Sequence, residues 1–148
     1  MELDHVVDEI EAPIERVWDL LADLGGVGAL VPDGGIAGFP AVESVSMEGE
    51  GQGAIRLVHL AGGATMRERF DLIDVVNRTI IYVGLPPNPL PIEDYRATIV
   101  LTALGPARTR VDWSSTGTLN GASLEDIRTV LETLHTTLID GARRLSCL

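Results

Sequence analysis

The chain has 148 residues, with 22 acidic against eleven basic side chains and a formal net charge of -11 at pH 7, so it is expected to fold as one domain (1–148) and to repel nucleic-acid backbones. All eleven basic residues are arginine, and the absence of lysine excludes lysine Schiff-base chemistry and a Walker-type phosphate loop. The single cysteine, Cys147, excludes a disulfide framework and a cysteine metal site, and about 70% of the extended chain's surface can be buried at this length without either.

The N-terminal "MELDHVVDEIEA" lacks the pattern of a signal peptide, and no run of 18 apolar residues offers a membrane span. A cytoplasmic protein is expected, with no membrane insertion and no nucleic-acid partner. Leu3 to Ala12 reads as a first strand with imperfect alternation. "PIERVWDLLADL" follows as a short amphipathic helix, with Pro13 suited to its start and Ile14, Val17, Trp18 and Leu21 on one face. Five glycines and a proline between Gly25 and Gly35 stop it and leave room for at most one further helical turn.

Strand-like runs then follow at close spacing: 42–48, 54–60, 65–75, 79–84, 95–103 and 109–119. The turn-rich junctions "EGEGQG", "AGGA", "VNR" and "LGPA" favour antiparallel hairpins, and "LPPNPLPIED" is a stiff, proline-rich loop suited to a cavity rim. The last element starts at "NGASLED", where Ser123 can cap, and runs as a helix to about Leu145, roughly 33 Å at 1.5 Å per residue. Its apolar stripe requires a sheet to lie on. The order predicts an α+β fold in which about seven antiparallel strands curve around a long C-terminal helix.

Within "GGATMRERFDLID", alternation places Glu68 on one face with Met66, Phe70 and Leu72. An isolated buried carboxylate is either held neutral by desolvation, and then a proton donor, or paired with a cation, and then a structural or ligand-orienting group. The hairpin across "AGGA" decides between these. In one register Ile55 and His59 share the face of Glu68, and His59 would form an acid/base pair with it; a one-residue change brings Arg56 and Val58 there instead. Tyr95 alternates inward with Ala97, Ile99 and Leu101, offering a hydroxyl that can donate to a ligand oxygen. Trp113, Phe70 and Tyr82 are candidate cavity walls. His135 falls on the border of the final helix's stripe, and His5 is expected at the surface. No metal, nucleophilic-serine or dinucleotide motif is present, so neither metal nor cofactor is expected.

The element order, with "EAPIERVWDLLADL", "MRERFDLID", "PLPIEDYRATIVL" and "RTRVDWSST", resembles the START and birch-pollen-allergen superfamily (SRPBCC) from about Val6 to Leu145, most of all its bacterial polyketide cyclase/dehydrase-like members. The resemblance implies a helix-grip fold with an internal cavity for lipids, steroids, polyketides or plant hormones. It implies either a cofactor-independent enzyme that promotes cyclisation, dehydration or proton transfer on a polyketide-like molecule, or a non-catalytic carrier or sensor of a lipid-like ligand. The plant abscisic-acid receptors of the superfamily carry a similar strand, in which residues corresponding to Glu68 and Tyr95 face the ligand. Their ligand-binding lysine and gate loop have no counterpart here, so hormone reception is not implied. On this reading Glu68 and Tyr95 are the catalytic candidates, and Arg56, His59, Phe70, Tyr82, Trp113 and His135 contact a hydrophobic small molecule in a monomer or homodimer.

Overall fold

A computed structural model describes residues 1–147. Seven strands, β1 (Glu2–Ile10), β2 (Val42–Glu48), β3 (Ile55–Leu60), β4 (Thr65–Asp74), β5 (Thr79–Leu85), β6 (Ile92–Gly105) and β7 (Arg108–Leu119), form one antiparallel sheet in the order β1-β7-β6-β5-β4-β3-β2. Helix α1 (Ile14–Ala22) and a 3₁₀ segment (Leu24–Leu30) follow β1, and the long helix α2 (Leu124–Ser146) closes the chain. This is the expected α+β helix-grip architecture. Among the described residues no helix is long and apolar enough to cross a membrane.

The sheet curves because its strands are interrupted by bulges, and each bulge flips the faces beyond it. In β1 the register shifts between Glu2 and Asp4, so Leu3 and Asp4 are both buried although they are neighbours in sequence. In β4 it shifts between Phe70 and Leu72, and Ile73 rather than the expected Leu72 packs against the core. A third shift lies between Glu93 and Arg96 of β6. That strand begins at Ile92, three residues before the expected Tyr95, which shortens the proline-rich loop.

Helix α2 starts where Ser123 accepts a hydrogen bond from the Asp126 N–H at 3.1 Å. It buries Ile127, Leu131, His135, Leu138 and Ile139 toward the sheet. Its arginines also cover the free edge of β1: Arg128 Nε donates to the Leu3 carbonyl at 2.8 Å and Arg143 Nη2 to that of Glu9 at 2.9 Å. Edge carbonyls that would otherwise invite another strand are thereby occupied.

The 3₁₀ segment packs so closely on α2 that a Cβ at Gly141 would overlap the Leu30 backbone. Gly141→Ala is therefore expected to push the segment off the helix and to lower stability by about 1–3 kcal/mol. A urea melt indistinguishable from that of the parent would contradict this packing.

Candidate functional site

The hairpin between β3 and β4 is tighter than a four-residue turn. Gly62 and Gly63 adopt φ of 91° and 93°, which glycine enters without strain, and the Leu60 N–H donates to the Ala64 carbonyl at 2.8 Å. Arg56 consequently stands directly opposite Glu68, and His59 opposite Thr65. His59 lies on the other face of β3, with Nε2 3.0 Å from Ser46 Oγ and Nδ1 3.2 Å from Thr65 Oγ1. The register that would have paired it with Glu68 is not adopted, and His59 is not a cavity residue.

Arg56 and Glu68 form a buried ion pair, with Nε and Nη2 of Arg56 both 2.9 Å from the same oxygen, Oε1. Nη1 donates to the Leu24 carbonyl at 3.3 Å. The guanidinium lies 4.8 Å from the Phe70 ring centre and 5.7 Å from that of Tyr82, and those centres are 5.1 Å apart, so the two rings sit together on one side of the cation. Among the described residues no hydrogen bond reaches Glu68 Oε2. Of the two states open to Glu68, the geometry matches the one paired with a cation, the state of a structural or ligand-orienting group.

A second buried polar chain lies at the sheet's other flank. Ser115 Oγ donates to Asp4 Oδ1 through a short hydrogen bond, His135 Nδ1 is 2.6 Å from Asp4 Oδ2, and His135 Nε2 is 3.3 Å from the Tyr95 hydroxyl. The Asp4 and His135 side chains are fully buried, so His135 is not the boundary residue that its helical spacing implied. With a neutral imidazole, Asp4 fixes the proton on Nδ1 and leaves Nε2 to accept from Tyr95. In that tautomer the Tyr95 hydroxyl donates to His135 Nε2. Burial, with the charges of Asp4 and Glu68 nearby, pushes the Tyr95 hydroxyl well above its ordinary range and keeps it protonated. Burial and the Glu68 charge raise Tyr82 likewise.

Trp113 joins the two chains. Its ring stacks on His135 at 4.9 Å, and its Nε1–H donates to the Tyr82 hydroxyl at 3.2 Å. Alternation with Val111 and Trp113 places Ser115 inward, where it is buried, but sequence reasoning had no signal for Asp4, because only the β1 bulge turns it inward.

Two small voids lie between sheet and α2, each with a volume of about 40 Å³ for the centres of water-sized molecules. That is room for roughly three waters. One opens toward the loop at Asn88–Leu90 and is lined by Tyr95, Leu131 and Ile92; the other lies under Val27, Ile36 and Phe39 and is lined by Arg56. Met66, Glu68, Tyr82 and Leu134 line both. The partition between them is therefore made partly of a flexible methionine.

The fold is similar to that of solved structures at identities too low to show more than fold. An uncharacterized protein of Bacillus thuringiensis matches at 19% identity and a TM-score of 0.80, covering 97% of this chain and 98% of that one. The ZhuI aromatase/cyclase of Streptomyces sp. R1128 matches at 22% and 0.72, covering 96% and 91%. Norcoclaurine synthase of Thalictrum flavum, in complex with dopamine and hydroxybenzaldehyde, matches at 19% and 0.70, covering 95% and 83%. A search of curated proteins finds no match. The family model described as polyketide cyclase / dehydrase and lipid transport matches residues 5–145. With nearly the whole length matched and the helix-grip fold in place, the chain belongs to that polyketide cyclase / dehydrase and lipid transport family.

Proposed function

We propose that the protein binds a hydrophobic, polyketide-like or polycyclic small molecule between the sheet and α2 and promotes its cyclisation, dehydration or a related proton transfer. The observation that carries this reading is the Asp4–His135–Tyr95 chain, a buried acid and imidazole behind a hydroxyl-bearing residue that lines the cavity wall. The aromatase/cyclase among the similar structures supports the same reading. Met66 swings aside to join the two voids when the ligand enters, and Glu68, fixed by Arg56, orients it.

In the chemical step a C–H beside a substrate carbonyl gives its proton to Tyr95 Oη while the Tyr95 proton passes to His135 Nε2. The Asp4 carboxylate balances the imidazolium that results, by the logic of a hydrogen-bonded acid–histidine pair. The carbonyl becomes an enolate, and its carbon attacks a second carbonyl held nearby; the oxygen of that carbonyl takes the proton from Tyr95 Oη as His135 Nε2 returns its own to Tyr95, which restores the neutral imidazole. Fixing a flexible substrate in an apolar cavity supplies much of the acceleration. No cofactor enters this reading.

A non-catalytic carrier is the second reading, favoured by the ion pair that occupies Glu68. The two are separated by extracting the protein purified from its host and identifying the released molecule by mass spectrometry, then offering linear poly-β-ketone precursors. A cyclised or dehydrated product supports the enzyme. A bound molecule recovered unchanged, with no conversion of any precursor, supports the carrier.

A further inference from the structure

The hydrogen-bonding inventory of the cavity restricts the chemical class of the ligand. A buried arginine in an apolar cavity would ordinarily be read as a receptor for a carboxylate. Here the charge of Arg56 is already paired: Nε and Nη2 both lie 2.9 Å from Glu68 Oε1, and Nη1 donates to the Leu24 carbonyl, so a ligand carboxylate would meet an ion pair and not a free cation. Arg67 also borders the first void. It alternates to the face of β4 opposite Glu68, so it can meet a charge only at the rim. Glu68 Oε2, an acceptor bearing negative charge on a residue that lines both voids, receives no hydrogen bond among the described residues. Beside it Tyr82 uses a lone pair for Trp113 and keeps a hydroxyl proton, so a ligand carbonyl is tolerated.

Resting on the proposed ligand-binding role, we infer that the cavity selects a neutral aromatic or polycyclic molecule bearing a hydroxyl, which donates to Glu68 Oε2, and rejects carboxylates, fatty acids included. A carboxylate placed at the partition would face Glu68 with no free cation to compensate it. A ring lacking a donor would leave Oε2 desolvated and unpaired, which is the costly half of hydrogen-bond energetics.

The test compares 2-naphthol, 2-methoxynaphthalene and 2-naphthoate on the full chain at pH 7.5 by titration calorimetry. These probes share one ring system and differ in the donor and the charge. Binding of 2-naphthol about tenfold or more tighter than either of the others is expected, the range for a hydrogen bond to a charged acceptor. Equal binding of naphthol and methoxynaphthalene, or tighter binding of naphthoate, overturns the inference and leaves the cavity reading intact. Failure of all three to bind overturns the cavity reading and the inference with it. Glu68→Gln, which leaves Arg56 without its carboxylate, is expected to bring 2-naphthoate at least level with 2-naphthol. The wild-type comparison decides the matter even if that variant folds poorly.

Discussion

Arg56→Met is expected to lower folding stability by about 3–5 kcal/mol, because it leaves the Glu68 carboxylate buried without its cation. In a chain of this size that corresponds to a fall in Tm of about 6–20 °C. The same exchange at Arg69, whose ion pair with Asp71 lies at the surface, is expected to cost less than about 1 kcal/mol. Both pairs have an N···O distance under 3 Å, and burial alone separates their effects. Adding Glu68→Leu to Arg56→Met should recover most of the loss, since an apolar pair of similar volume requires no desolvated charge. Urea unfolding of the four proteins checks this. A loss of under 1 kcal/mol in Arg56→Met would show that the pair is not held away from water, and the orienting role of Glu68 would fall with it.

Much of the architecture was legible in the sequence because the signals are local. Glycine and proline punctuation set the hairpins, Ser123 marks the start of α2, and alternation placed Tyr95, Ala97, Ile99 and Leu101 inward, where all four are buried. The inward position of Glu68 was equally readable, as was the dependence of its partner on one turn. What alternation cannot settle is that turn's length. Leu60 pairs with Ala64 through two left-handed glycines, and a single residue decides between Arg56 and His59.

The second polar chain was hidden for a related reason. Asp4 belongs by simple alternation to a strand with no clear inward face, and only the irregularity beside Leu3 buries it. Its partners are Ser115 and His135, 111 and 131 residues away, so no local pattern links them. His135 sits at the edge of the apolar stripe when the helix is read alone. It becomes a core residue because β1 lays a carboxylate across that edge. Bulges and long-range polar pairs of this kind are properties of the assembled sheet and helix.

The Asp4–His135–Tyr95 chain leads to the largest expected functional effect. Tyr95→Phe should slow exchange of the α-hydrogens of 6-hydroxy-2-tetralone in D2O by about 10²–10⁴-fold, the usual contribution of a positioned general base. The probe carries a hydroxyl for Glu68 and an acidic C–H beside a carbonyl. Its α-proton passes to Tyr95 Oη while the Tyr95 proton moves to His135, and the enolate recovers a deuteron after the hydroxyl exchanges with cavity water. Affinity for the probe should change little in Tyr95→Phe, because the ring that lines the void is retained. Asp4→Asn tests the residue behind the histidine. The amide can donate to Nδ1 and so favour the tautomer protonated on Nε2, which cannot accept the Tyr95 proton. Exchange should fall in Asp4→Asn with binding preserved, whereas a purely structural role would lower stability and leave the exchange rate of the folded protein unchanged. Deuterium incorporation followed by NMR gives the rates, and wild-type exchange in Tyr95→Phe would remove this chain from the mechanism.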